Sequence, residues 1–197
     1  MSSKQHHTVI LMPRGNVTLG TMQILMPIRE FELRLLRRVF SQTEKRMVIP
    51  MARAISRSGD GYLHLLTPLL AWLLDPAGLE RLLPLLIISL LLERIAYWLI
   101  KNALRRPRPA DAVPGFRSLI TAGDQFSFPS GHSSGAFLLA TALVIVYGPL
   151  AAPLLLWALA VALSRVLLGV HYPGDTLAGA LMGSFVVISV ATHLGAN

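Results

Sequence analysis

The sequence predicts an all-α, polytopic helical membrane protein with about five transmembrane helices, six being the alternative, and an N-terminal amphipathic helix at the membrane interface. Three observations carry this. Of 197 residues, 53% are hydrophobic and 14% charged, whereas about a quarter of the residues in a soluble domain are charged. The mean hydropathy is +0.58. Five apolar runs succeed one another from Tyr62 onward, and the polar residues gather where those runs end. The length suits one domain. With no cysteine, disulfides and thiolate metal ligands are excluded. The net charge of +8 comes from basic residues in front of and between apolar runs, not interleaved with aromatics on a soluble face. Anionic lipid of the bilayer, and not nucleic acid, is therefore the expected partner.

Residues 1–27 carry Pro13, Gly15, Gly20 and Pro27 and never sustain the apolar core of a signal peptide, which predicts a loose, uncleaved tail. Residues 28–58 are read as interfacial. Ile28, Phe31, Leu35 and Val39 fall at helical spacing, and Arg29, Arg34, Arg37 and Arg38 form a basic face. Such a helix lies on the membrane surface or packs on the protein's own cytosolic loops. A second short helix is expected from Met47 to Ile55, before a turn at Ser58-Gly59-Asp60-Gly61 in which Asp60 can cap the next helix.

Residues 59–197 form the transmembrane unit. Tyr62–Leu74 is short for a hydrocarbon core of ~30 Å, which wants about 20 residues. Leu79–Ile100 is long enough but holds Glu93-Arg94, an adjacent opposite-charge pair read as mainly structural. Ser130–Tyr147, ended by Gly148-Pro149, Leu150–Leu168 and Thr176–Leu194 complete the set. In the last of these Gly179 and Gly183 are spaced for close helix packing.

Three polar stretches stand at the boundaries of these runs. In Ser164-Arg165-Val166-Leu167-Leu168-Gly169-Val170-His171-Tyr172-Pro173-Gly174-Asp175, a cation, a nucleophile or base, and a carboxylate come in order. That is the inventory of covalent phosphoryl transfer. Tyr172-Pro173-Gly174 breaks one helix and opens another, which places Asp175 in a first turn within reach of His171. A carboxylate there would set the imidazole tautomer and free the other nitrogen. The same residues also suit a plain helix-helix corner with a satisfied histidine. Lys101 precedes Arg108, which Pro107 and Pro109 hold in extended chain, where a guanidinium can grip phosphate oxygens bidentately. A headgroup-anchoring cluster has the same composition. In Ser127-Phe128-Pro129-Ser130-Gly131-His132-Ser133, Ser130 can cap a helix and the amides near Gly131 can face an anion. There a bound anion would favour the protonated, acid form of His132; an ordinary capped helix with an exposed histidine is the alternative.

In these three stretches the chain resembles the type 2 phosphatidic acid phosphatase (PAP2) family. Lys101, Arg108 and Pro109 match its first motif, Pro129-Ser130-Gly131-His132 its second, and Ser164-Arg165 with His171 and Asp175 its third. The resemblance implies a helical membrane fold shared with acid phosphatases and vanadium-dependent haloperoxidases, and metal-independent, cofactor-free removal of phosphate from a lipid phosphate. It implies His171 as the nucleophile that forms a phosphohistidine, Asp175 as its partner and His132 as the acid for the leaving group. Lys101, Arg108 and Arg165, with the amides near Ser130 and Gly131, would hold the phosphoryl oxygens. Many relatives carry six spans; this chain offers five, with the amphipathic segment in place of the first.

Three cations can neutralise equatorial phosphoryl oxygens as magnesium does in kinases, which agrees with the implied chemistry. The expected substrates are undecaprenyl pyrophosphate, phosphatidylglycerol phosphate, phosphatidate or another prenyl phosphate. A haloperoxidase-like enzyme would be soluble, and a scaffold or transporter would leave three motifs without a purpose. With five spans, the N-terminal tail and the site share one face. Ten of the 18 Lys and Arg residues precede Tyr62, so the positive-inside rule predicts a multi-pass protein of the inner (plasma) membrane with a cytoplasmic site.

Overall fold

Proline and glycine punctuate the chain where its apolar runs change direction, and the computed structural model, which describes residues 19–44 and 47–195, turns at those points. Its helices are α1 (Leu19–Phe40), α2 (Val48–Ser58), α3 (Tyr62–Leu74), α4 (Pro76–Leu104), α5 (Pro109–Ala112), α6 (Gly131–Tyr147), α7 (Pro153–Leu167) and α8 (Pro173–Leu194). Prolines stand at the first turns of α4, α5, α7 and α8, where their missing N–H would lack an intrahelical partner anyway.

The five expected apolar helices correspond to α3, α4, α6, α7 and α8. The third ends at Tyr147 as Gly148-Pro149 requires; a 3₁₀ turn over Gly148–Ala151 then delays α7 to Pro153. Three segments are long and apolar enough to cross a membrane: Pro76–Ala112, Gly131–Ala151 and Pro173–Leu194. Helices α3 and α7 are apolar but shorter.

Packing sorts the faces. On α4, Gly78, Leu82, Leu85, Leu86, Ser89, Glu93 and Lys101 recur at three- and four-residue spacing and are buried. Ile87, Leu91, Ile95, Trp98 and Leu99 on its other side are exposed, which suits contact with lipid tails and not water. The main core joins α4, α6 and α8 through Leu82, Leu85, Leu86, Leu138, Leu139 and Val187. Helices α6 and α8 approach closest: a Cβ added at Gly179 or Gly183 would collide with the backbone carbonyls of Ser130 or Ser134. The close-packing role expected of these two glycines is thus the one they have. Glu93 accepts from Ser134 of α6 at 2.6 Å and pairs with Arg94, so this charge ties helices together.

The N-terminal region departs from expectation. Helix α1 begins at Leu19, inside the segment read as tail; residues 1–18 of that segment lie outside the described residues. Fully buried Leu36 of α1 packs with Val166 and Tyr172, supported by Leu33, Val39 and Phe116. The inner face of α1 therefore rests on the protein, while Arg29, Arg34, Arg37 and Arg38 point outward.

Candidate active site

One end of the bundle collects the predicted residues, because each stands where a helix starts or stops. Lys101 lies in the last turn of α4, Arg108 just before α5, Gly131 and His132 in the first turn of α6, Arg165 in the last turn of α7, and Asp175 in the first turn of α8. Backbone bonds fasten these ends together. The Ser130 N–H donates to the Asp175 carbonyl at 3.0 Å, so that amide is committed to joining α6 to α8. Ser130 caps α6 as expected, accepting from the Ser133 N–H through its hydroxyl.

His171 is buried between α7 and α8. Its Nδ1 lies 2.7 Å from the Ser127 carbonyl oxygen. A carbonyl accepts only, so Nδ1 carries the proton and Nε2 has the free lone pair. The orienting group predicted from sequence was Asp175, but its carboxylate stands 3.7 Å from Nδ1, beyond a hydrogen bond. Asp175 is held elsewhere: Tyr172 N–H donates to Oδ2 at 2.8 Å and Arg106 donates to Oδ1 at 2.6 Å. Asp175 thus contributes charge and a firm corner, and Ser127 sets the tautomer. Burial pushes the His171 imidazole down to about 4; Asp175 pulls it up, and Arg108 and Arg165 push it down. It is neutral at physiological pH.

The cations form two groups. Lys101 and Arg108, both buried, converge on Asp124, with Lys101 Nζ 2.8 Å from Oδ2 and an Arg108 Nη 2.5 Å from Oδ1. Tyr97 OH donates to the same carboxylate at 2.7 Å. Burial alone would raise the Asp124 carboxyl, yet these bonds and the charges of Lys101 and Arg108 hold it at about 2. Arg108 also donates to the Val170 carbonyl at 2.6 Å, next to His171. Arg165 donates to Ser56 Oγ of α2 at 2.6 Å, while its buried Nε–H has no partner among the described residues. A buried guanidinium with an unsatisfied donor is a seat for an acceptor-rich anion.

His132 is turned toward α2 and α3. Its Nε2 lies 2.7 Å from Asp60 Oδ1. Asp60, expected to cap α3, does not, since Gly61 holds the cap position without a side-chain bond. Asp60, Asp124, Ser56, Tyr97, Arg106 and the Ser127 carbonyl were thus missed as site groups. Asp124 carried one usable signal, an acidic residue in the loop between Arg108 and the Ser127–Ser133 stretch; Asp60 carried none.

Comparison with known proteins fits this arrangement. The model of the PAP2 superfamily matches residues 82–196. The chain is 42% identical over 86 residues to the lipid A 4′-phosphatase of Bacteroides thetaiotaomicron, covering 42% of this chain and 38% of that protein. It therefore spans under half the length of that relative. The crystal structure of Aquifex aeolicus LpxE superposes with a TM-score of 0.70 at 26% identity, covering 81% of this chain and 94% of that one. The transmembrane PAP2 type phosphatidylglycerolphosphate phosphatase of Bacillus subtilis superposes with a TM-score of 0.68 at 21% identity, covering 86% and 87%.

Proposed function

The chain belongs to the PAP2 superfamily, and from that premise and the site geometry we propose that it is an integral-membrane phosphatase acting on a lipid phosphate or pyrophosphate through a phosphohistidine. The observation that carries this reading is the His171 corner: a buried neutral imidazole with Nδ1 occupied and Nε2 free, within electrostatic reach of Arg108 and Arg165. The relatives' names share one chemistry, a phosphate on a lipid.

In this mechanism the Nε2 lone pair attacks phosphorus, forming a P–N bond as the bond from phosphorus to the lipid oxygen breaks. His132 gives its proton to that oxygen, and the lipid alcohol leaves. Water then attacks phosphorus and passes a proton to the now neutral His132, the P–N bond breaks, and inorganic phosphate departs. Lys101, Arg108 and Arg165 neutralise the equatorial oxygens. Substrate oxygens take over the cationic contacts that Asp124 makes and the His132 contact that Asp60 makes. The reaction needs no divalent metal, because three cations of the chain already do this work; activity should persist in excess chelator, and loss with EDTA that magnesium restores would refute it.

A panel of lipid monophosphates and pyrophosphates in detergent, read as phosphate release with and without vanadate, tests the activity. No release from any of them would overturn the proposal. With five spans, the site lies at the cytoplasmic face of the inner membrane, for the charge reason given above. The chain has no cysteine, so single cysteines at exposed Arg117 and Pro149 can be labelled in intact cells. Labelling of position 117 from outside would reverse the assignment.

A further inference from the structure

We infer that Glu32, on the N-terminal helix α1, is a positioning residue for the His171 nucleophile, acting through Arg106 and Asp175. The inference rests on the phosphatase reading above. Arg106 forms a two-pronged bridge: one Nη donates to Asp175 Oδ1 at 2.6 Å and the other to Glu32 Oε2 at 2.5 Å. The other carboxylate oxygen of Glu32 accepts the Gly174 N–H at 2.9 Å. A Cβ at Gly174 would strike that carboxylate, so glycine is what permits the approach. The Arg106 guanidinium also lies over the Tyr172 ring, 4.1 Å from its centroid. One carboxylate, 142 residues away in sequence, therefore grips both the arginine that holds Asp175 and the backbone of the turn between His171 and Asp175.

The site needs this support. Asp175 is fully buried and takes a charged bond from Arg106, and a guanidinium left with one carboxylate would turn toward it. Without Glu32 the bridge loses one anchor and the Gly174 amide loses its acceptor. The His171 corner would then shift on the scale at which attack geometry matters, where about 1 Å can cost about 10²-fold. Lys101 and Arg108 are held by Asp124 and Arg165 by Ser56; the phosphate contacts are independent of Glu32. Helix α1, which carries four outward arginines, is by this inference part of the catalytic apparatus as well as a surface element.

The test compares Glu32→Ala, Glu32→Gln and, on the outer side of the same helix, Glu30→Ala, by steady-state kinetics on a lipid monophosphate in detergent. Glu32→Ala should lose about 10- to 100-fold in kcat, with KM and the inhibition constant for inorganic phosphate within about twofold. Vanadate, which as a mimic of five-coordinate phosphorus would bond to the His171 Nε2 in the proposed mechanism, should weaken in step with kcat. Glu32→Gln, which keeps the shape and one acceptor, should fall between, and Glu30→Ala should match the parent protein. If Glu32→Ala does not fold, Glu32→Gln alone decides by the same split. A kcat within twofold of the parent, or a phosphate constant that rises as far as kcat falls, would overturn the inference while leaving the phosphatase reading intact. A parent protein that releases no phosphate would overturn both.

Discussion

The two histidines of the site are held in different ways. His171 sits in a buried corner, its Nδ1 on a backbone carbonyl and the neighbouring carboxylate bonded to a backbone amide and a guanidinium. His132 leans on the side chain of Asp60, which projects from the short turn between α2 and α3, and both are partly exposed. Backbone partners move only if the fold moves; a side-chain partner on a turn can change rotamer. The difference suits the roles proposed for them. The attacking atom needs one position through both steps, whereas the proton carrier must release its free-state partner and meet first a leaving oxygen and then a water.

The sharpest break of this comparison is His171→Ala, which should abolish activity on every substrate, since no leaving group replaces a missing nucleophile. Rescue of that variant on an aryl phosphate would overturn the assignment. Next comes His132→Ala, expected to lose on the order of 10² to 10⁴ in kcat/KM on a lipid monophosphate and clearly less on a nitrophenyl phosphate, whose leaving group needs no proton. Equal fractional losses on both would reduce His132 to a phosphate ligand. Arg165→Lys, which keeps the charge but not the fork, should cost about 10- to 100-fold in kcat/KM, the size of one charged hydrogen bond; near-parent activity would show that the unpaired Nε–H does not meet the substrate.

The smallest expected effect is on stability. The His171 imidazole in the folded chain lies at about 4 against 6.5 for a free histidine. Between those values the unfolded chain binds a proton that the folded corner refuses, so stability contributed by the neutral histidine is present above 6.5 and declines as pH falls toward 4. Thermal unfolding in detergent should show a decline over that window in the parent protein that is shallower in His171→Gln. Equal slopes would place the imidazole in a wetter setting than the corner provides.

Most of the helical framework could be read from residue order because membrane helices announce themselves locally, by unbroken apolar runs ended at Gly148-Pro149 or Tyr172-Pro173-Gly174. The six charged or imidazole side chains proposed for the site could be picked out for a similar reason: each lies at such a boundary. What escaped was pairing across the chain. Nothing in the residues around Asp60 points to His132, 72 positions away, and nothing around Glu32 points to Arg106 or Gly174. The Ser127 contact is invisible for another reason. Its acceptor is a backbone oxygen, which every residue type supplies, so no side-chain pattern can report it. The inner face of α1 is ambiguous in the residues alone, because a helix packed on protein and one floating on headgroups need the same amphipathic stripe.

Helices α3 and α7 have 13 and 15 residues, so they rise only roughly 20 and 22 Å, against a hydrocarbon thickness of ~30 Å. Both meet the site: α3 starts just after Asp60, and α7 ends just past Arg165. A span that short leaves a hydrophobic mismatch, which a bilayer can relieve by thinning beside it. On the phosphatase reading, headgroups next to α3 and α7 would then ride lower than those around the 29-residue α4, bringing a lipid phosphate to the level of the site without lifting its tails from the membrane. Acyl-chain length of the host bilayer would then control turnover: in reconstituted vesicles, activity should fall as the host lipid thickens, while detergent assays, which have no leaflet to bend, should show no such dependence.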